Sequence, residues 1–226
     1  MDINILHLIE GAKKAQGLAV IIDVFRAFSL ECYLTAANAE KIIPVGTREE
    51  AYRFKQLNPG YLLIGERHGK ILDGFDYGNS PAQIMGMDFS GKTIIHTTSS
   101  GTKGLMNASG ADEIITGSLL NAKAVARYIR TRSPKKVSLV CMGWEGLQDT
   151  DEDIICAQYI ESLLRGKESE ISARIEALKQ TDGARFFDQT QQDSCPQEDF
   201  YLCTACNIFD FVLKLDENGT MQRIDC

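Results

Sequence analysis

The chain has 226 residues, 44% hydrophobic and 24% charged, with a formal net charge of −7. That balance is ordinary for a folded domain with a sizeable core and argues against disorder. It also argues against a nucleic-acid partner, where clustered Lys and Arg must neutralise phosphates, while a small anionic substrate, which feels only the local field, stays compatible.

The N-terminal stretch MDINILHLIEGAKKAQG has no charged-then-apolar leader pattern and no small-residue cleavage site. No apolar run approaches the length of a bilayer span. Seven cysteines (32, 141, 156, 195, 203, 206 and 226) are scattered without a framework, so a cytoplasmic, reduced chain without membrane contact is expected. Cys141 and Cys156 sit in apolar runs and read as small core residues.

From residue 18 onward, short β-branched runs alternate with helix-like stretches. LAVIID (18–23) precedes AFSLECYLTAANAE, and KIIPV (41–45) precedes TREEAYRFKQL. YLLIG (61–65), KTIIHT (92–97), DEIIT (112–116) and KVSLV (136–140) follow, the last three trailed by GTKGLMNASG, NAKAVARYIRTR and DEDIICAQYIESLLRG. FDFVLKLD (209–216) reads as a late strand with ENG as its turn, and the polar stretch 166–199 as helices with loops. The pattern predicts an α/β fold, a three-layer α/β/α arrangement around a largely parallel or mixed sheet. Residues 1–226 read as one domain, with 167–226 open to forming a smaller C-terminal lobe.

In such sheets ligands collect at the carboxyl ends of strands. IIDVFRA puts Asp23 and Arg26 at one such end. A carboxylate there can hold Mg²⁺ or a water, and a guanidinium can take two phosphate oxygens. The plainer reading is an N-cap Asp beside a surface Arg. Phe25 stands where a haloacid-dehalogenase-type phosphatase needs its second Asp.

GERHGKILDGFDYGNSPAQ (65–83) sets Glu66, Arg67, Lys70, Asp73, Asp76 and Asn79 among glycines, as either a solvated linker or a site for an anion and a metal ion. HTTSSGTKG (96–104) offers five hydroxyls before a helix start, suited to phosphate or sulfonate, where a simple cap needs one. GMDFSGKT (86–93) matches a P-loop literally but leads into a strand rather than a helix, so it is rejected. In WEGLQDTDED, Asp149 to Asp153 suit a helix N-terminus, which leaves Glu145, between glycines, unexplained. CTAC (203–206) reads as a buried structural pair, and the three histidines (7, 68 and 96) show no ligand spacing.

Taken together, VIIDVFRAFS, GERHGKILDGFDYGNSP, GKTIIHTTSSGT, GSLLNAKAVA and CMGWEGLQDTDEDIICA resemble the 2-phosphosulfolactate phosphatase family, the ComB-like proteins of coenzyme M biosynthesis. The resemblance is strong over residues 17–166 and weaker over the tail DFYLCTACNIFDFVLKL. It implies an α/β/α, Mg²⁺-dependent phosphatase that converts 2-phosphosulfolactate to sulfolactate and inorganic phosphate, and a homodimer by family habit. Asp23, Glu66 and Asp76 would then be metal ligands, with Glu145 a further candidate. Arg26 and Arg67 would join Asp23 and Glu66 in catalysis by neutralising phosphoryl oxygens. Asn79, Ser80, Thr97, Thr98, Ser100, Gly101 and Thr102 would contact the substrate. Two anionic groups call for two cationic subsites, so Arg26 and Arg67 are expected to be free of buried carboxylates.

The chain departs from the family pattern at Phe28, where the family has Thr, and at Ser99 and Ser100, where it has Thr and Asn. TDGARFF stands near the place of a family His-Gly pattern. Two alternatives follow: a phosphatase for another small phosphorylated acid, and a non-catalytic anion-binding homologue.

Overall fold

The computed structural model describes residues 1–167 and 170–226. In chain order the elements are β1 (Asp2–His7), α1 (Leu8–Lys13), β2 (Leu18–Ile22), α2 (Ala27–Ala36), β3 (Lys41–Pro44) and α3 (Arg48–Leu57). Next come β4 (Leu62–Arg67), β5 (Lys70–Ile71), β6 (Thr93–Thr97), α4 (Gly101–Asn107), β7 (Glu113–Gly117) and α5 (Ala122–Arg132). The rest are β8 (Lys136–Cys141), α6 (Asp151–Leu164), α7 (Ser172–Ala177), α8 (Gln197–Thr204), β9 (Phe211–Leu215) and β10 (Met221–Asp225). Every β-branched run is a strand, and β1, β5 and β10 are additional. Residues 168 and 169, in the stretch expected to be helices with loops, lie outside the described residues.

The strands form one sheet in the order β1-β8-β2-β7-β9-β10-β3-β6-β4-β5. Two parallel blocks, β1-β8-β2-β7 and β3-β6-β4, are joined by the antiparallel hairpin β9–β10. Its turn is closed by Asp216, whose carboxylate accepts the Asn218 and Thr220 N–H groups. The seams are thin: β7 meets β9 through Ile115 and Lys214, and β10 meets β3 through Met221 and Ile42. The segment after 167 thus completes the middle of the sheet, and its Phe200 and Cys203 pack in the same core as β2. Its strands β9 and β10 lie within the same sheet.

Strand periodicity explains the layers. In β2 all five residues are buried, Val20 and Ile22 toward one core and Ala19 and Ile21 toward another. The first core packs the β8-β2 side against α5 and α6 and the aromatic cluster Phe186 and Phe200. The second contains Ile21 and Val140 from one block, Ile42, Ile64 and Ile94 from the other, and Phe28, Leu30, Leu34 and Leu105 from α2 and α4. A third, smaller core seats α3 on Val45, Leu63 and Ile95. Helices therefore cover both faces, the expected α/β/α arrangement. Because both blocks share α2 and α4, the carboxyl ends of β2 and β8 come close to those of β6 and β4. Full burial of a side chain such as Phe28 contributes about 1.5–3 kcal/mol.

Cys141, Cys156 and Cys203 are buried free thiols, and Cys206 is half-buried. Among the described residues, no helix is long and apolar enough to cross a membrane.

Candidate active site

Asp23 follows β2 directly and is 5% exposed. Its Oδ1 accepts the Ala27 N–H at 3.1 Å, as a cap would, but its Oδ2 accepts the Gly101 N–H at 2.9 Å from the start of α4. The side chain therefore ties two helix starts together. Burial pushes its carboxyl up to about 6, and the nearby Glu66 adds to the rise against the two backbone donors.

Glu66, near the end of β4, is equally fixed. Its Oε1 accepts the Ser99 N–H at 2.6 Å, and its Oε2 accepts the Gly69 N–H at 2.8 Å and the Ser99 hydroxyl at 3.2 Å. Both carboxylates line one cleft with Arg26, Asn79, Ser99, Ser100 and Glu145, walled by Phe25, Trp144 and Arg185. The accessible volume is about 30 Å³, room for roughly two or three water-sized centres. The floor takes small groups such as phosphate oxygens.

Asn79 reaches the cleft through a buried chain. Its Oδ1 lies 3.2 Å from His96 Nε2, and His96 Nδ1 lies 2.8 Å from Glu31 Oε1. Because the Asn79 carbonyl oxygen is turned to His96, its NH₂ group is the end left for the cleft. Glu31 and His96 are fully buried, so the chain is a fixed prop.

Arg26 lines the cleft but is not a free cation. Its guanidinium is 2.5 Å from Asp199 Oδ2 on α8 and also donates to the Ser194 carbonyl at 2.8 Å. Burial alone would lower its pKa, and the Asp199 carboxylate reverses that and holds it raised. Asp199 also accepts the Ser80 hydroxyl and the Ala82 N–H through its other oxygen. The expectation that both Arg26 and Arg67 are unpaired thus fails at Arg26.

Other residues from the motifs are placed elsewhere. Arg67 neighbours Glu66 on β4, and strand alternation turns it away from the cleft. It donates to the Glu66 carbonyl at 2.6 Å and to Thr97 Oγ1 at 2.9 Å. Asp76 lies behind the strand, where Oδ2 accepts the Leu63 N–H at 2.7 Å and faces Lys55 Nζ at 3.4 Å. It holds the loop against β4 and does not face Asp23 or Glu66. Thr98 and Thr102 cap each other's backbone N–H groups, and the Ser80 hydroxyl is given to Asp199. These hydroxyls shape the loop from behind. Ser100 lines the cleft, yet its hydroxyl is shared between the Met142 and Gly143 carbonyls. Gly101 contributes its amide to Asp23. Glu145 stands at the rim, 2.5 Å from His68 Nδ1 on the opposing loop. Its own loop folds back tightly: a Cβ on Gly143, which has φ 61°, would stand 2.1 Å from the Gln148 carbonyl oxygen.

Five contributors escape motif reading. Ser99 clamps Glu66, while Asp199 balances Arg26 and His96 supports Asn79. Asp153, assigned to helix capping by its position, instead reaches across to the Val24, Met142 and Gly143 N–H groups at 2.8–3.0 Å. Arg185, in a stretch of unremarkable polarity, lies 4.6 Å from the Trp144 ring. Ser99 and His96 lie within HTTSSGTKG, Asp153 within WEGLQDTDED and Arg185 within TDGARFF, so each stretch carried a signal that did not single out the residue.

The donor set suits a hard cation of low protein-ligand demand. Among the described residues, neither Asp23 nor Glu66 is ion-paired within 4 Å, the nearby cation pairs lying elsewhere. No cluster of three or more His, Cys, Asp or Glu among those residues could hold a metal alone. Mg²⁺ is usually bound by one or two carboxylates with waters and substrate phosphate, so the Asp23–Glu66 pair fits it.

Comparison with known proteins identifies a family. A family model described as 2-phosphosulpholactate phosphatase matches residues 3–218. A Bacillus subtilis protein named "Probable 2-phosphosulfolactate phosphatase" is 30% identical over 209 residues, covering 91% of this chain and 90% of its own length. A protein of the same name from Caldanaerobacter subterraneus is 34% identical over 217 residues, covering 90% and 89%. Another, from Carboxydothermus hydrogenoformans, is 43% identical over 165 residues, covering 73% and 68%.

Proposed function

This chain belongs to the 2-phosphosulfolactate phosphatase family, and from that premise we propose that it hydrolyses the phosphate ester of 2-phosphosulfolactate in a Mg²⁺-dependent reaction, releasing sulfolactate and inorganic phosphate. The supporting observation is the buried Asp23–Glu66 pair, held by backbone donors in a single cleft without a cationic partner among the described residues.

Asp23 and Glu66 would hold Mg²⁺, which when bound supplies countercharge to the phosphoryl oxygens. Asp23 and Glu66 orient the attacking water and accept its proton. The Asn79 amide donates to phosphoryl oxygens that gain charge in the transition state, while Arg26, paired with Asp199, shapes the cleft wall beside it. The bond from water oxygen to phosphorus forms as the ester P–O bond breaks, and the departing alkoxide takes a proton from solvent. Arg67 acts only through its field. A reduced cytoplasm and a place in coenzyme M biosynthesis belong to the same reading, and the free cysteines support the compartment.

The test is phosphate release from 2-phosphosulfolactate and a panel of other phosphorylated acids, with and without Mg²⁺. Expected are Mg²⁺-dependent release and a loss in kcat of about a hundredfold or more in Asp23→Asn with the fold intact. Release from other esters alone would replace the substrate. No release from any ester at several pH values would leave an anion-binding protein.

A further inference from the structure

We infer that Arg185 forms the subsite for the sulfonate of the substrate and sets the preference for esters that carry a sulfonate beside the carboxylate. The inference rests on the phosphatase reading for its substrate. Its geometry stands apart from that reading.

The cleft lining is of two chemical kinds. The Asp23–Glu66 floor is negative and requires a cation before it can receive a phosphate dianion. Trp144, Phe25 and Arg185 are aromatic and cationic. The Arg185 guanidinium carbon lies 4.6 Å from the Trp144 ring, 5.1 Å from Phe186 and 5.8 Å from Phe25. Among the described residues it has no carboxylate within 4 Å, in contrast to Arg26 on Asp199. Among the described residues its one hydrogen bond goes to the Phe25 carbonyl at 3.3 Å, which leaves most of a guanidinium's five donors without a partner there.

Such a group suits a sulfonate. Aromatic rings against the faces of the guanidinium hold it in place by cation–π attraction and leave its N–H edge for an oxyanion. A guanidinium is weakly hydrated and presents a fork that takes two oxygens at once. Sulfonate, a monoanion of low basicity, competes poorly for Mg²⁺ and gains most from a partly desolvated cation. A rival role for Arg185 is structural, as the charge that opposes the rise in the buried Glu152 carboxyl. The two roles differ in what they discriminate.

Wild type, Arg185→Gln and Arg185→Lys are compared in two assays, with thermal unfolding to verify the fold. The first measures kcat/KM on 2-phosphosulfolactate and on 2-phospholactate, which keeps the carboxylate and lacks the sulfonate. Arg185→Gln is expected to lose about 10- to 100-fold on the sulfonated ester and no more than about threefold on the other, with partial recovery in Arg185→Lys. The second measures calorimetric binding of sulfolactate and of inorganic phosphate. Sulfolactate is expected to weaken by about tenfold or more in Arg185→Gln, with phosphate unchanged. Equal losses on both esters, or sulfolactate affinity indifferent to Arg185, would overturn the inference. If wild type turns over neither ester while sulfolactate binding still depends on Arg185, the hydrolase reading fails and the subsite stands.

Discussion

Gly101 and Asp23 meet with no room between them. The Gly101 N–H is 2.9 Å from Asp23 Oδ2, and a Cβ on residue 101 would stand 2.8 Å from that same oxygen, 2.9 Å from the Ala27 Cβ and 3.1 Å from the Phe28 Cζ. Gly101→Ala is therefore expected to push α4 from the carboxylate, lowering kcat/KM by about a hundredfold and stability by roughly 1–3 kcal/mol. Phosphate release and urea unfolding check both, and wild-type activity would mean that α4 yields freely. Phe28 belongs to the same contact: its ring is fully buried against this glycine and packs in the core.

The Arg26–Asp199 pair is fully desolvated, with side chains 5% and 0% exposed. Removing one partner leaves a buried charge, so Asp199→Ala is expected to cost about 3–5 kcal/mol in urea unfolding. Replacing both, as Arg26→Met with Asp199→Leu, restores part of that stability because no charge is stranded, while turnover stays low. A double variant less stable than Asp199→Ala would contradict this account.

Glu31, His96 and Asn79 act in series if the chain is what orients the amide. Asn79→Ala and Glu31→Gln are each expected to lower kcat by about tenfold or more, with KM less affected. In the double variant the losses should fall short of the product by a coupling of about 0.5–3 kcal/mol. Strictly multiplicative losses would show that Glu31 does not act through Asn79.

Burial raises the Glu152 carboxyl from 4.5 to about 7, moderated by Arg185. The folded state therefore keeps this proton longer than the unfolded chain does. Ionising it costs stability as pH rises from about 4.5 to about 7, by an amount on the order of 3 kcal/mol. Glu152→Gln is expected to be more stable than wild type at pH 8 and to converge with it toward pH 4.5. Urea midpoints at both ends of this range check the sign, and a gap that widens toward acid would refute it.

Much of the fold is legible in order. The runs LAVIID, KIIPV, KTIIHT and KVSLV carry β-branched residues at strand length and became β2, β3, β6 and β8. β1 is less legible because its DINILH run alternates with exposed polar residues at the sheet edge, a weaker signal than a continuous apolar run. Of the site, Asp23 and Glu66 were readable as polar residues at strand ends, and Asn79 as a polar residue of the loop that follows β5. Asp76 resembled them locally, and only its bond to Leu63 reveals a structural task.

Composition, residue period and strand-end chemistry are local properties, so the sequence alone was enough to determine the alternating α/β layers and the loops that carry the chemistry. Which charges are spent and which are free was decided by tertiary structure. Asp199 reaches Arg26 across 173 positions, and Glu66 and Arg67, adjacent in the chain, are turned to different sides by the strand pleat. Both outcomes depend on a sheet whose two blocks close around α2 and α4, a shape set by long-range packing and not by any one segment.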